Sequence, residues 1–341
     1  MLVTLLQACG NPATAPKDAV PSIDGPATTD SWLDAKLDAP ATCPTAPLAS
    51  TLTALTNFGA NPGNLTATMY VPTIKPTHPA LVLALHGCSQ TGAAYAKTGW
   101  NQLADHNGFI VAYPQTTATN ACFNWYSSSE QTRNGNEVTS ILSIVHTLQQ
   151  AYSVDASRIY VTGLSAGGAM TTLLLATHPE VFNAGAAMAG LPFRCAGNAS
   201  EGFACMSAAP SKTAAQWGDL VRTAAGANLA RAPRLSIWHG SSDDTVNNSN
   251  ALAMVAQFTD VNAIDAAADA TTTVGAATHR EYRNAAGTTL VDYWSVTGMN
   301  HGVALAPRDG CGTAGPFLLD QGICSTRAAA DFFGLAACST P

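Results

Sequence analysis

Charge is scarce in this chain. Only 11% of its 341 residues are Asp, Glu, Lys or Arg, against about one quarter in an ordinary soluble protein. With 15 basic residues facing 22 acidic ones, a formal net charge of -7 and no cluster of Lys and Arg, the chain lacks the basic patch that nucleic acid or an anionic membrane surface would need. Long apolar runs are also missing, since none approaches the roughly 20 residues that span a bilayer. No C-x-x-C pair and no His/Cys cluster at ligand spacing occurs, so neither a metal nor a cofactor is expected. No internal repeat is visible.

What the chain does have is apolar and small. Hydrophobic residues make up 47% of it, and Ala, Thr, Ser and Gly take the place of the missing charges. A chain of this length can bury a sizeable core, and one α/β domain of roughly 250 to 300 residues is expected. The segment Met1 to Cys9 is a short apolar run ending in a small residue and cysteine; it resembles a bacterial lipoprotein signal with lipidation at Cys9. Residues 10–42, rich in Pro, Ala, Asp and Thr, read as a disordered spacer. That leaves 43–341 as a single α/β domain.

Nine cysteines support export independently: Cys9, Cys43, Cys88, Cys122, Cys195, Cys205, Cys311, Cys324 and Cys338. With Cys9 lipidated, eight remain, an even number suited to disulfides in an oxidising compartment. Local spacing favours Cys195–Cys205 and Cys311–Cys324 as short staples. Cys43–Cys338 then clamps the two ends of the domain, which leaves Cys88–Cys122.

Strand and helix patterns alternate along the domain. Ala67 to Pro72, Leu81 to His86, Phe109 to Tyr113, Ala184 to Gly190, Arg234 to His239 and Leu290 to Val296 read as strands. Val138, Ile141, Leu142, Val145 and Leu148 recur at helical spacing, and further helical patterns fall near 248–259 and 325–334. Such alternation predicts a mainly parallel, doubly wound sheet with helices on both faces.

One strand feeds a turn of special composition. Arg158 to Thr162 leads into Gly163-Leu-Ser165-Ala-Gly167, and a Leu/Ala-rich helical pattern follows. In that context G-x-S-x-G reads as a nucleophile elbow, a tight turn whose small flanking residues let the backbone close while the Ser165 hydroxyl points into the open. A hydroxyl is a poor nucleophile at neutral pH, so it needs an imidazole base and a carboxylate to orient that imidazole. In α/β-hydrolases the chain order is Ser, acid, His. The acid candidates are Asp243 and Asp244, on a loop directly after a strand. Of the histidines that follow them, His301 sits at a strand end, whereas His279 lies in a polar stretch. His86, His106, His146, His178 and His239 precede the acid and read as structural. An oxyanion needs backbone N–H donors; Ala166 supplies one, and the loop from Leu85 to Gln90 is placed to supply the other from Cys88.

These residues resemble the polyhydroxybutyrate depolymerase family of esterases, which also includes feruloyl and acetylxylan esterases. The matching segments are Leu85 to Gln90, Gly108 to Pro114, Cys122 to Trp125, Gly163 to Met170, His239 to Val246, Gly298 to His301 and Cys311 to Cys324. The resemblance covers about residues 60–337. It implies an α/β-hydrolase fold, with Ser165 as nucleophile, Asp243 as acid, His301 as base and Cys88 at the oxyanion loop. Trp125 then stands near the site, as a contact for a polymer chain or aromatic acyl group or as a core residue. The expected function is that of a secreted or surface-tethered serine esterase acting as a monomer on poly(3-hydroxybutyrate)-type polyester or its oligomers. The alternatives are a feruloyl or acetylxylan esterase using the same residues and a non-catalytic surface lipoprotein. No nucleic-acid partner is expected, and membrane contact only through the lipid at Cys9.

Overall fold

A strand that is apolar on every position must be covered on both faces. Leu81–Leu85 (β3) is such a strand, wholly buried, and its alternation divides the protein in two. Leu81, Leu83 and Leu85 enter one hydrophobic core while Val82 and Ala84 enter another, as the two-residue period of a strand requires. The computed structural model describes residues 51–335, all of them within a unit spanning Pro40–Pro341. The signal at 1–9, the lipidation at Cys9, the spacer at 10–42 and the Cys43–Cys338 bridge lie outside the described residues.

Before the elbow, the remaining elements are strands β1 (Thr53–Ala54), β2 (Thr66–Tyr70) and β4 (Ile110–Gln115) and helices α1 (Gly92–Tyr95), α2 (Trp100–Asn107) and α3 (Asn136–Tyr152). The elbow joins β5 (Ile159–Leu164) to α4 (Ala166–Thr177), and β6 (Ala184–Met188) leads through α5 (Ala199–Ser207) and α6 (Ala214–Ala225) to β7 (Arg234–Gly240). The C-terminal part holds α7 (Ser249–Val261), β8 (Ala270–Val274), β9 (Ala277–Arg283), β10 (Thr289–Val296), β11 (Val303–Leu305), β12 (Leu318–Asp320) and α8 (Ser325–Phe333). Ten strands form one sheet in the order β1-β2-β4-β3-β5-β6-β7-β10-β9-β8. From β4 to β10 every neighbouring pair is parallel, and antiparallel pairs extend both edges. Helices α3, α4, α6 and α7 cover one face, and α1, α2 and α8 cover the other.

This is the expected α/β-hydrolase arrangement, and every strand and helix pattern read from the sequence falls on an observed element. The outer strands β8 and β9 escaped that reading. β8 exposes four of its five residues, so no apolar alternation marks it.

The parallel registers carry the functional consequence. Because β3, β5, β7 and β10 run the same way, their carboxyl ends deliver the loops at Cys88, Ser165, Asp243 and His301 to one edge of the sheet, where open α/β sheets place their ligands.

Candidate active site

The elbow is tight because its glycines have no room for side chains. A Cβ on Gly163 would overlap the Gly167 backbone, and one on Gly167 would overlap the Leu85 carbonyl. Ser165 sits between them at φ 56°, ψ -115°, a conformation that L-residues seldom adopt outside sites where the surroundings enforce it. Its amide is held by the Met188 carbonyl at 2.9 Å, and helix α4 begins at the next residue. The Ala166 N–H therefore heads a helix with no intrahelical acceptor, where the macrodipole favours negative charge.

The acid and the imidazole meet on adjacent loops. His301 Nδ1 donates to Asp243 Oδ2 at 2.8 Å, which leaves Nε2 with the lone pair. The other carboxylate oxygen, Oδ1, accepts the backbone N–H groups of Thr245 (2.9 Å) and Val246 (2.8 Å). Burial opposes the charge on Asp243, but the hydrogen bond and electrostatic attraction of His301, together with the Val246 N–H, outweigh it and hold the carboxyl below the ordinary aspartate value. Asp244 has another task. Its exposed carboxylate accepts from Asn300 Nδ2 at 3.1 Å while its N–H donates to Asn300 Oδ1 at 3.2 Å, tying the acid loop to the histidine loop. The geometry thus separates the two acids that chain order left open.

His279 is placed elsewhere. It lies within β9, bonded to Asp292 at 3.1 Å and stacked on Trp294 at 3.8 Å. His239 is buried beside the acid, its Nε2 donating to the Val246 carbonyl at 2.8 Å and standing 3.5 Å from Asp243 Oδ2. Burial lowers its pKa, so this contact is between a neutral imidazole and a carboxylate. Among the described residues the Ser165 hydroxyl makes no hydrogen bond. The acid–imidazole pair is joined, and the imidazole–hydroxyl contact is left for the bound state, as apo sites often leave it.

The Cys88 loop is braced by a buried network. His86 Nδ1 donates to the Gly87 carbonyl at 2.7 Å, and its Nε2 accepts the Thr116 N–H at 3.4 Å; burial lowers its pKa, consistent with this neutral tautomer. Thr116 Oγ1 donates to Glu137 Oε1 at 2.9 Å, and Glu137 also receives the Asn124 N–H at 2.7 Å. Glu137 is 1% exposed, and burial pushes its carboxyl up to about 7 against these hydrogen bonds. Cys88 is bridged to Cys122, so the Cys88 loop and the Trp125 loop are joined both covalently and through Glu137. The other described bridges are Cys195–Cys205 and Cys311–Cys324. Among the described residues no group of three His, Cys, Asp or Glu side chains is arranged to hold a metal.

A cavity of about 420 Å³ opens at Ser165, Ala166 and Cys88. Trp125 lines it, 6% exposed, so it is both core and wall. The other apolar walls, Tyr126, Leu191, Phe203 and Met206, were not visible in the sequence, because none belongs to a motif. Phe203 alone carries a signal, an aromatic on the solvent side of amphipathic α5, 69% exposed.

Comparison with known proteins agrees with the architecture. The family model described as esterase PHB depolymerase matches residues 65–284. Poly(3-hydroxyalkanoate) depolymerase C of Paucimonas lemoignei is 45% identical over 290 residues, covering 83% of this chain and 70% of that protein. Feruloyl esterase B of Talaromyces funiculosus is 34% identical over 222 residues, covering 63% of each chain. Among solved structures, an acetyl xylan esterase from Aspergillus awamori superposes with a TM-score of 0.72 at 26% identity, over 84% of this chain and 100% of that one. The chain belongs to the esterase PHB depolymerase family and is a carboxylic ester hydrolase.

Proposed function

We propose that this protein is a serine esterase that hydrolyses poly(3-hydroxybutyrate)-type polyester or its oligomers through an acyl-enzyme on Ser165. The observation that carries the reading is the Asp243–His301 hydrogen bond at 2.8 Å, on the same sheet edge as a Ser165 held at positive φ and opening on an apolar cavity. His301 Nε2 takes the Ser165 proton as Oγ attacks the ester carbonyl, and the Ala166 and Cys88 N–H groups stabilise the oxyanion. The alkoxide then leaves with that proton from His301. In the second half, water gives a proton to His301 and its oxygen to the acyl carbon, the Ser165 ester bond breaks, and Ser165 recovers the proton. Asp243 keeps the imidazole in the tautomer that this requires.

The apolar walls around Ser165 and the identity to a poly(3-hydroxyalkanoate) depolymerase support a polyester substrate. A feruloyl ester is the second reading, supported by the aromatic Trp125 and Tyr126 in the same cavity and by the feruloyl esterase relative. Three disulfides suit an oxidising, extracellular setting; within it we place the protein as a monomer tethered by lipid at Cys9.

Hydrolysis of 4-nitrophenyl butyrate tests the mechanism. Ser165→Ala should lose at least about 1,000-fold in kcat, and activity that survives the substitution would overturn it. Clearing of a poly(3-hydroxybutyrate) suspension, set beside ferulate release from a feruloylated sugar, separates the two substrate readings.

A further inference from the structure

Phe317 combines two features that rarely coincide. It is a bulky aromatic at φ 61°, where such side chains are uncommon, and its side chain is left partly in solvent, with 39% of the residue exposed. Its ring stands edge-on to the His301 imidazole, with centroids 6.0 Å apart and planes at 79°. The segment carrying it is pinned on both sides. The Phe317 carbonyl accepts the Val303 N–H at 2.9 Å, Leu318 pairs with Val303 in the β11–β12 ladder, and Cys311 is bridged to Cys324. Gln90 spans the site, receiving the Gly87 N–H at 3.0 Å and donating to the Pro316 carbonyl at 3.3 Å. The Phe317 loop is thus tied both to the strand after His301 and to the oxyanion loop.

The chemistry divides the ester between two places. The protonated imidazole gives its proton to the departing alcohol, so the alcohol oxygen must lie against His301. The cavity at Ser165 includes both proposed oxyanion donors, Cys88 and Ala166, and His301 is not among its walls. The acyl half therefore enters that cavity, and the alcohol half leaves past His301, where Phe317 stands.

We infer that Phe317 is a specificity-determining residue for the alcohol side of the ester, packing against the aliphatic backbone of the next hydroxyalkanoate unit of a polyester chain. This rests on the roles proposed above for Ser165 and His301. The apolar character of the alcohol follows from the loop itself. Pro316, Phe317 and Leu319 offer no polar side chain, and the amide of neighbouring Gln90 is engaged at both ends, so the surface beside the Phe317 ring offers apolar contact to the alcohol half.

Phe317→Asn and Phe317→Gly both suit a positive φ, so loss of the ring is separated from collapse of the loop. The measurement is kcat/KM for linear 3-hydroxybutyrate trimer divided by kcat/KM for methyl 3-hydroxybutyrate, alongside Tm. The ratio should fall about tenfold in both variants, the scale of one lost apolar contact, with Tm no lower than in the wild type. Phe317→Tyr keeps the ring and should keep the ratio. A ratio within about twofold of the wild type in the Asn and Gly variants overturns the inference. So does a fall in Phe317→Tyr as deep as in Phe317→Gly, or a loss confined to feruloylated or acetylated xylo-oligosaccharides. Methyl-ester hydrolysis that persists in Ser165→Ala would instead overturn the underlying mechanism, whatever the ratio.

Discussion

The floor and the rim of the site are built from different material. On the floor, Ser165, Asp243 and His301 stand on loops at the ends of parallel strands, and the Asp243 carboxylate is fully buried and hydrogen-bonded on both oxygens. The rim carries Phe203 and Phe317, exposed and apolar, one on α5 and one on the loop before β12. Each rim segment is closed by its own bridge, Cys195–Cys205 or Cys311–Cys324. Sheet register fixes the floor, so the same chemistry recurs wherever the strands pair this way. Covalently closed segments hold the rim, and their bridges lie outside the parallel ladder beneath. That division is compatible with a family whose relatives are named for polyesters, feruloyl esters and acetylated xylan.

The floor is the place where a small change should do most. Asp243→Asn keeps shape but removes the charge that orients His301, and kcat should fall by about 1,000- to 10,000-fold for polymer, oligomer and methyl ester alike. Stability should report the same group. Because the folded protein holds the Asp243 carboxyl below its ordinary value, its contribution is present at neutral pH and is lost as pH falls through the folded pKa. Denaturation curves of wild type and Asp243→Asn should therefore converge on acidification below about pH 4. A gap that widens there, or a loss of activity on the polymer alone, would break the distinction between floor and rim.

Removing a rim bridge should produce the opposite pattern. Cys195→Ser combined with Cys205→Ser frees α5, whose bridge spans a separation of 10 residues, at a cost of about 2 to 3 kcal/mol. Hydrolysis of 4-nitrophenyl butyrate should fall about tenfold further than hydrolysis of 4-nitrophenyl acetate, since α5 carries Phe203, Gly202 and Met206 of the cavity wall that receives the acyl half. Equal losses on both substrates would show that the rim also positions the catalytic groups.

The floor was more legible in the sequence than the rim, for a physical reason. An elbow needs Gly163 and Gly167 because their Cβ atoms would strike backbone, and a strand-end acid and histidine follow in the order that the fold demands. Such constraints leave a pattern in the letters. Chain order does not separate Asp243 from Asp244; the family resemblance points to Asp243, and the partners of the two, His301 and Asn300, agree with it. Tyr126, Leu191 and Met206 were invisible, because an apolar cavity wall is indistinguishable in sequence from an apolar core. Strands β8 and β9 were missed for the converse reason. They extend the sheet by backbone pairing, β9 on β10 and β8 on β9, and the exposed Thr271, Thr272 and Thr273 of β8 give no alternation to read.

Glu137 tests whether floor and rim are coupled, with the smallest expected effect on rate. It bonds both Thr116, which contacts His86 of the oxyanion loop, and Asn124, which precedes Trp125. The folded protein raises its carboxyl from 4.5 to about 7, so the folded state holds this proton to higher pH than the unfolded chain. Its contribution to stability is complete below about pH 4.5 and declines as pH rises towards 7, by about 3 kcal/mol at most. Glu137→Gln is uncharged like the protonated form, and its carbonyl can still accept from the Asn124 N–H. The variant should therefore lack the decline, and urea unfolding at pH 5 and 7.5 should show it gaining on the wild type at the higher value. Parallel pH dependences would remove Glu137 as the titrating group. If that group couples the two regions, methyl-ester and trimer hydrolysis should change together in the variant, by less than about fivefold; a change confined to the trimer would place Glu137 with the rim alone.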